Sequence, residues 1–343
     1  MYLRVFDAAG ISIEKTYEMS DRIAGVISDW DSKYLEEIHG VASGAGVEPW
    51  HVTALNARTE ILSQSTHTGG GECSTLAYIP RYTELTAPEL ATPVGIQTWD
   101  WHQELDAYWH TQSVRGTKSS FVGLSEHGIL GKIGINSNGL GVLINILGHR
   151  DDAPTGIPVH ILAAAVLGTA GSVDEALELL RSAPIGTSSA LTLLDSTTAV
   201  CAELSPLGVA AVTSQNGFLP HTNHFLDTKS AVREKTELYE PDTHGRFNLL
   251  TSRVRRYAKP ASPENLVEYL YSDTDQPHLS CYPDPEAKFG ARWKTLATII
   301  LDPVNRNARI LDGTPIESRQ KQWLTLTADA DADADAEGNQ RSI

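Results

Sequence analysis

Cysteine and methionine are scarce in this chain, which has three cysteines and two methionines among 343 residues. An odd number of cysteines without paired spacing favours neither a disulfide framework nor a zinc site, and it fits a reducing compartment. No segment reaches the roughly 18 consecutive apolar residues of a membrane-spanning helix, and the first residues lack a basic start followed by an apolar run. We therefore expect a cytoplasmic protein without membrane partners.

Basic residues are scarce as well, since 27 Lys and Arg stand against 43 Asp and Glu and the formal net charge is −16. This surplus of negative charge argues against nucleic acid and anionic membranes as partners, because both repel an acidic protein. Part of the surplus lies in an Asp-Ala repeat near the C-terminus. Its composition predicts a disordered acidic tail over residues 328–343, which leaves residues 1–327 as a single domain.

Several common catalytic and ligand-binding motifs are absent. The chain has no His-Glu-x-x-His, and the glycine-rich stretch from Gly131 to Gly141 lacks the Lys-Ser/Thr ending of a phosphate loop. His221 and His224 have the spacing of metal ligands, but no third ligand accompanies them in a recognisable arrangement. We therefore expect neither a metal nor a cofactor.

Three consecutive glycines, Gly69 to Gly71, lead through Glu72 into Cys73, which opens a predicted strand ending at Ile79. Glycine tolerates strained backbone geometry, so a thiol at this point is able to attack its own preceding carbonyl group. Cleavage of the Glu72-Cys73 bond would leave a free α-amine, with an unperturbed pKa of roughly 7.7 to 8, as a base beside the thiol. The competing interpretation is a flexible surface loop followed by a buried cysteine.

The hydrophobic pattern predicts helices before this junction and strands after it. Apolar residues at steps of three and four predict a helix from Ser20 to Gly46, and Pro49 begins a second helix that ends near Ser63. The predicted strands are Cys73 to Ile79, Val94 to Trp101, Ser120 to Leu124, Gly128 to Asn136, Gly139 to Leu147, Ala190 to Leu194, Ala199 to Leu204, Val209 to Thr213 and a final strand, Thr295 to Leu301. Further helices are predicted after Pro158, after Ser172 and between Asp227 and Asp273, so the order favours sheets covered by helices over βαβ units.

Three polar residues in or near these strands are candidates for a site with Cys73. Asp100 lies between two tryptophans on a strand that is expected beside the Cys73 strand. Its carboxylate is a candidate to orient the new α-amine or Thr75, and the competing interpretation is that it accepts hydrogen bonds from backbone N–H groups. Asn145 and Asn223 are candidate donors to the oxyanion that forms when an amide carbonyl is attacked. A strand-end cap is the competing interpretation of Asn145, whereas Asn223 follows a turn where exposure toward a site is expected.

Six motifs, which together span most of the chain, carry a resemblance through their order and spacing. They are Asn56-Ala57-Arg58-Thr59-Glu60, Glu72-Cys73-Ser74-Thr75, Gln97-Thr98-Trp99-Asp100-Trp101, the stretch from Gly134 to Gly141, His221-Thr222-Asn223-His224 and Asp312-Gly313-Thr314-Pro315. In this arrangement the chain resembles the acyl-coenzyme A:6-aminopenicillanic acid acyltransferase (isopenicillin N acyltransferase) family of N-terminal-nucleophile hydrolases.

The resemblance implies an α+β fold, a four-layer αββα sandwich of antiparallel sheets covered by helices. It also implies self-cleavage before Cys73, into a small chain of residues 1–72 and a large chain whose body is residues 73–327, and the two products are expected to stay associated. By the same analogy Asp100 would hold the α-amine, and Asn145 and Asn223 would occupy oxyanion-hole or substrate-polarising positions. Arg253 would stabilise the thiolate.

Two features depart from the family pattern, and one role has competitors. Glu72 stands where the penicillin acyltransferases carry glycine. The ending Arg341-Ser342-Ile343 is not a peroxisomal signal, so the compartment of the fungal enzymes is not carried over. The role of Arg253 is contested by three other arginines, Arg255, Arg256 and Arg292.

The function that these features predict is hydrolysis of a linear amide in a small N-acylated amine or amino acid, through an acyl-Cys73 intermediate. The first alternative is an acyltransferase that passes the acyl group to an amine. Hydrolysis is favoured because no basic patch is suited to the phosphates of coenzyme A. The second alternative is a non-catalytic binding protein with the same fold. A small-molecule amide is thus the expected partner, and a homo-oligomer is an open alternative.

Overall fold

The computed structural model describes residues 1–65, 73–80, 90–115, 118–235, 242–272 and 276–328. The glycine run, Glu72 and the acidic tail from residue 329 onward lie outside the described residues. Cys73 itself lies within them, immediately before the first strand.

The chain begins with four helices: α1 Tyr2–Ala8, α2 Ile13–Ala45, α3 Pro49–Asn56 and α4 Arg58–Leu62. The predicted end of α2 is confirmed, because Gly46 adopts a left-handed conformation with φ of 66°. The helix begins earlier than predicted, since the Ser12 side chain accepts from Lys15 N (3.3 Å) and caps it there. The second predicted helix is divided at Ala57, and α1 was not predicted.

Thirteen strands follow in the described part of the chain. They are β1 Ser74–Tyr78, β2 Val94–His102, β3 Trp109–Arg115, β4 Ser120–Glu126, β5 Ile133–Asn136, β6 Gly141–Ile146, β7 Ser189–Leu194, β8 Ala199–Ser205, β9 Gly208–Thr213, β10 Phe218–His221, β11 Trp293–Asp302, β12 Asn307–Asp312 and β13 Leu324–Thr327. Each strand that the sequence predicted is present, although the strand predicted to begin at Gly128 begins at Ile133. The prediction that the Thr295 strand is the last was wrong, because β12 and β13 extend the sheet beyond it. β3 and β10 were not predicted either, since β3 is rich in polar residues and β10 is short and contains Pro220.

The strands form two antiparallel sheets. The first has six strands in the order β10-β1-β2-β11-β12-β13, and the second has seven in the order β3-β4-β5-β6-β7-β8-β9. The sheets pack face to face, since β1 and β2 contact β6, β10 contacts β8, and β12 contacts β4 and β5. We name them the six-stranded sheet and the seven-stranded sheet.

Helices cover the outer faces of both sheets. Among the described residues, the further α-helices are α5 Val159–Thr169, α6 Val173–Ser182, α7 Thr228–Ala231 and α8 Thr243–Arg256, and there are 3-10 helices at Gln103–Tyr108, Pro263–Leu270 and Pro315–Arg319. α5 and α6 pack on the seven-stranded sheet, and α3 contacts α5. α8 and the 3-10 helix at Pro263–Leu270 cover the six-stranded sheet. The predicted four-layer αββα arrangement is confirmed.

Alternation along β1 assigns its side chains to two different cores. Leu76 and Tyr78 point outward and pack with Leu250 of α8. Cys73 and Ala77 belong to the larger core, which fills the space between the sheets. Because successive side chains of a strand face opposite sides, Cys73 and Thr75 share the inner face. Among the described helices, none is both long and apolar enough to cross a lipid bilayer.

Candidate active site

Cys73 is buried, with 4% of its surface exposed, and both of its backbone polar groups are held by side chains. Its amide nitrogen donates to Asn223 Oδ1 at 3.1 Å. Its carbonyl oxygen accepts from Asn145 Nδ2 at 2.8 Å and from Arg246 Nη1 at 3.2 Å. Of the other four predicted site residues, Asn145 and Asn223 thus bind the Cys73 backbone through their side chains. The structure adds Arg246, an arginine that the sequence did not identify.

Asn145 reaches Cys73 from the opposite sheet, and its orientation is fixed by neighbouring side chains. It lies inside β6, which continues to Ile146, so the structure does not support its interpretation as a strand-end cap. The Thr75 hydroxyl donates to Asn145 Oδ1 at 2.7 Å. Since that oxygen faces a donor, the amide nitrogen is directed toward Cys73 O.

Gln97, on β2 beside Thr75, supports this arrangement from the six-stranded sheet. Its Nε2 donates to Thr75 Oγ1 at 2.9 Å and to Ile144 O at 2.6 Å, and its Oε1 accepts from Ile144 N at 3.2 Å. These bonds join β2 to β6 across the inter-sheet space. Gln97 belongs to the Gln97-to-Trp101 motif, but the sequence predicts no role for it.

Asn223 follows β10 and is anchored by its backbone nitrogen and by both atoms of its side-chain amide. Its backbone nitrogen donates to Thr243 Oγ1 at 2.8 Å, and its Nδ2 donates to Ile146 O at 2.9 Å. Its Oδ1 accepts from Arg246 Nη2 at 3.1 Å in addition to Cys73 N. Asn223 therefore presents an acceptor to the nitrogen that self-cleavage would convert into an α-amine.

Asp100 is fully buried on β2, one residue from Trp99, and its carboxylate faces hydroxyl groups. Oδ1 accepts a hydrogen bond from Thr295, and Oδ2 accepts from Thr98 Oγ1 at 3.4 Å. Its backbone oxygen lies 4.0 Å from Cys73 Sγ. Asp100 is therefore next to the nucleophile, although the acceptor that the structure gives Cys73 N is Asn223.

The two arginines on α8 differ in what they contact. The Arg253 guanidinium donates to the carbonyl oxygens of Tyr269 (2.8 Å) and Tyr271, and to Gln276 Oε1 (2.8 Å). It thus binds Tyr269, Tyr271 and Gln276. Arg246, two turns earlier, is the arginine whose guanidinium meets the Cys73 backbone.

The other competing arginines have different surroundings. Arg255 and Arg256 are exposed, and Arg292 pairs with Glu104 at 2.9 Å. A sequence signal for Arg246 did exist, because residues seven apart on a helix lie on nearly the same face. That signal places Arg246 and Arg253 on one face without choosing between them.

A buried ionic cluster lies between the sheets on the inner face that also holds Cys73. Lys132 Nζ and Arg58 Nη2 contact Glu126 Oε2 at 2.6 and 2.8 Å, and Tyr2 donates to the other oxygen of Glu126. Burial lowers the pKa of Lys132, although Glu126 opposes this shift. Burial acts to raise the pKa of Glu126, but Arg58 and Lys132 outweigh it and hold that pKa below its usual range. This cluster was not predicted as part of a site.

The two spaced histidines are committed to protein contacts. His221 Nε2 lies 2.9 Å from Glu203 Oε1, and its Nδ1 lies 2.7 Å from Thr222 O. His224 Nδ1 lies 3.0 Å from Thr243 Oγ1. Within the part of the chain that the structure describes, no group of three His, Cys, Asp or Glu side chains is arranged to hold a metal ion.

Comparison with known proteins identifies similar sequences over most of the chain. The family model described as acyl-coenzyme A:6-aminopenicillanic acid acyl-transferase matches residues 89–317. The acyl-coenzyme A:6-aminopenicillanic-acid-acyltransferase 40 kDa form of Emericella nidulans is 28% identical over 305 residues, which cover 82% of this chain and 76% of that protein.

Similar solved structures share little sequence with this chain. The N-acylethanolamine-hydrolyzing acid amidase ortholog of Caenorhabditis elegans has a TM-score of 0.46 at 12% identity, covering 67% of this chain and 93% of that one. A variant of conjugated bile acid hydrolase from Clostridium perfringens has a TM-score of 0.49 at 11% identity, covering 74% and 92%. Penicillin V acylase from Agrobacterium tumefaciens has a TM-score of 0.39 at 12% identity, covering 74% and 86%.

Proposed function

Because this chain belongs to the acyl-coenzyme A:6-aminopenicillanic acid acyl-transferase family, we propose that it is a self-cleaving cysteine amidohydrolase with Cys73 as its nucleophile. The observation that carries the proposal is the set of bonds around Cys73. Asn145 and Arg246 donate to its carbonyl oxygen, and Asn223 accepts from its nitrogen. A cysteine that merely fills a core needs no such polar surroundings.

Maturation begins when Cys73 Sγ attacks the carbonyl carbon of Glu72. The Glu72-Cys73 amide bond breaks, a thioester forms, and the nitrogen takes the proton that the thiol gives up. Water then hydrolyses the thioester, which restores the thiol and leaves Cys73 with a free α-amine. Asn223 Oδ1 already accepts from this nitrogen, and we assign it the task of holding the amine after cleavage.

Turnover uses the same atoms on a second carbonyl group. The α-amine takes the thiol proton while Cys73 Sγ attacks the substrate amide, and it delivers that proton to the leaving amine. The acyl group rests on Cys73 as a thioester until water removes it. Asn145 and Arg246 supply donors and positive charge next to the reacting centre, where an oxyanion develops.

Asp100 is assigned an indirect role beside the nucleophile. Thr98 Oγ1 lies between the Asp100 carboxylate, at 3.4 Å, and Ser74 N, at 3.2 Å. The Thr98 hydroxyl accepts a hydrogen bond from Ser74 N, and its nearer acceptor is Leu279 O at 3.0 Å. The Asp100 carboxylate is a longer, second contact of that hydroxyl, beside the residue that follows Cys73. Arg253 is assigned no direct contact with substrate, because its guanidinium binds the carbonyl oxygens of Tyr269 and Tyr271.

The small chain that cleavage would produce, residues 1–72, is expected to stay bound to residues 73–327. Arg58 forms a buried ion pair with Glu126. Asn56 Nδ2 donates to Gly128 O at 2.9 Å, and Asn56 Oδ1 accepts from Leu130 N at 3.0 Å. A buried charge that loses its partner is strongly destabilising, so separation of the two chains is unfavourable.

Acyl transfer to an amine is the second candidate, because the matching family and the relative from Emericella nidulans are both described as acyltransferases. Both reactions share the acyl-Cys73 intermediate and differ in what attacks it. A small N-acylated amine or amino acid is the substrate class that we propose for hydrolysis.

An amide library assayed with and without added amine acceptors tests this proposal. We expect release of the free acid from at least one N-acyl compound, at a rate that added amine does not raise. An acylated amine as the main product would replace hydrolysis by acyl transfer. If no library compound is turned over and Cys73 resists a thiol alkylator, the non-catalytic interpretation is correct.

A further inference from the structure

Two rows of side chains face each other across the inter-sheet space. In the six-stranded sheet, Thr75 of β1 pairs with Gln97 on one side and with His221 on the other. In the seven-stranded sheet, Ala190 of β7 pairs with Asn145 on one side and with Glu203 on the other. Directly paired residues in antiparallel strands point to the same face, so each row presents a line of side chains to the other.

The two rows meet at two polar contacts, one at Asn145 and one at Glu203. The small residue Ala190 lies between these two in the seven-stranded sheet. At one end Thr75 donates to Asn145 at 2.7 Å, in the site described above. At the other end His221 Nε2 lies 2.9 Å from Glu203 Oε1. Neither side chain of this second contact has measurable exposure. The second contact has no part in the chemistry proposed so far.

Glu203 also anchors the loop that follows β10. Its Oε1 accepts from Leu226 N at 2.7 Å, and its Oε2 accepts from Asp227 N at 2.9 Å. Together with His221, these contacts fix the chain on both sides of Asn223. A single buried carboxylate in the opposite sheet thus holds the loop at its beginning and at its end.

The charges of this pair are consistent with an ion pair. Both ring nitrogens of His221 face oxygen atoms, Thr222 O and Glu203 Oε1, and an imidazolium donates to both. Burial acts to lower the pKa of His221, but the Cys201 thiol and Glu203 outweigh it and raise that pKa well above its ordinary value. The Glu203 side chain faces His221 Nε2 and the backbone nitrogens of Leu226 and Asp227.

We propose that Glu203 and His221 form a positioning pair that sets where Asn223 stands relative to Cys73. The inference rests on the proposed function of Asn223 as the acceptor for the Cys73 nitrogen. The pair touches neither the reacting atoms nor substrate, and it acts through the loop. Its loss shifts Asn223 Oδ1 away from Cys73 N, and a misplacement of about 1 Å reduces the catalytic rate on the order of 100-fold.

The test is Glu203→Gln in the full chain, measured for kcat and KM on an amide that the wild-type protein hydrolyses. Glutamine keeps the shape of the side chain but removes the charge, and its amide nitrogen faces a backbone donor. We expect kcat to fall on the order of 100-fold and KM to change little. His221→Gln is the second variant and gives the result if Glu203→Gln does not fold.

Asp195→Asn is the matched control, because the Asp195 carboxylate also accepts backbone N–H groups, from Val173, Thr197 and Thr198. Asp195 lies beyond the end of β7, away from Asn223. The kcat of the Asp195→Asn variant should therefore equal that of the wild type. In an Asn223→Ala background, Glu203→Gln should cause no further loss in kcat, because residues that act as one unit are not additive.

Equal kcat in Glu203→Gln and wild type, or a full additive loss on top of Asn223→Ala, would overturn the inference while leaving the proposed function intact. Absence of Cys73-dependent turnover in the wild type would instead overturn the proposed function. In that case crystal structures of Glu203→Gln and wild type decide the inference. An unchanged distance from Asn223 Oδ1 to Cys73 N refutes it, and a lengthened one supports it.

Discussion

Asn145 Nδ2 donates to Cys73 O at 2.8 Å and so joins a strand of the seven-stranded sheet to the first residue before β1. The two residues are 72 positions apart in the chain. Their contact depends on the face-to-face packing of the sheets, because each residue sits on the inner face of its own sheet. The candidate nucleophile is therefore held by the tertiary structure and not by its local sequence.

Cys73→Ala should leave a single uncut chain, because it removes the attacking thiol. Intact mass and a denaturing gel report whether the products 1–72 and 73–343 appear. Cys281→Ala is the control, since Cys281 is also buried, and it should be cleaved like the wild type. Two chains in Cys73→Ala would show that another group cuts the protein or that an external protease does.

Asn145→Ala should reduce kcat by roughly 100- to 1,000-fold, the cost of losing one donor to a developing oxyanion. Asn136→Ala is a matched control on the neighbouring strand. Asn136 is equally buried, but its side chain bonds the carbonyl oxygens of Leu167 and Ala170 and not Cys73. It should lower stability by about 1 to 3 kcal/mol and leave kcat unchanged. Similar kcat losses in both variants would assign Asn145 a structural role only.

Arg246→Met and Arg253→Met separate the two arginines of α8. Arg246 contacts Cys73 O, so its loss should reduce both self-cleavage and turnover, by at least 10-fold. Arg253 binds Tyr269 O and Tyr271 O, so its loss should lower the unfolding temperature while kcat of the folded protein stays within about two-fold. The reverse outcome would return Arg253 to the thiolate-stabilising role that the resemblance implies.

Glu60 provides a prediction about stability and pH. Burial raises its pKa to about 7, even though Val159 N donates to it. In the unfolded chain the pKa of a glutamate is about 4.3, so between about pH 4.3 and pH 7 the folded state keeps a proton on Glu60 that the unfolded state has lost. Glu60 therefore makes the free energy of unfolding fall as pH rises from about 4.3 to about 7.

Glu60→Gln removes this titration. The unfolding free energy of the variant, minus that of the wild type, should rise by on the order of 3 kcal/mol between pH 4 and pH 8. Urea unfolding at a series of pH values measures it. Asp195→Asn is a control of opposite sign, since burial of Asp195 is outweighed by donors such as Thr197 and Val173 that lower its pKa. Its stability relative to wild type should fall as pH rises through the acid range. A flat difference for Glu60→Gln would show that Glu60 is not protonated at neutral pH.

Glu72→Gly should speed self-cleavage, because a carboxylate beside the scissile carbonyl disfavours the negative charge that forms there and glycine adds backbone freedom. A time course of chain cleavage after synthesis measures the rate. Glu72→Gln separates the two causes, since it removes the charge without adding freedom. Processing that is unchanged or slower in Glu72→Gly would count against this explanation.

Much of the secondary structure could be predicted from hydrophobic periodicity and turn residues. The end of α2 at Gly46 and the strands that became β1, β2, β4 to β9 and β11 follow directly from such patterns. The strands that were missed, β3, β10, β12 and β13, are partly polar or short. Their pairing with neighbours in a sheet compensates for a weak local signal, which periodicity alone does not detect.

The sequence by itself determined the candidate catalytic groups. These are a cysteine after a glycine run and Asp100, Asn145 and Asn223, in an order that resembles one family. Only the tertiary structure decided how these groups are used. It placed Asn223 Oδ1 at the Cys73 nitrogen and brought Arg246 to its carbonyl oxygen. The physical reason is that strand register and sheet packing set contacts between distant residues, whereas periodicity reports only the face on which each side chain lies.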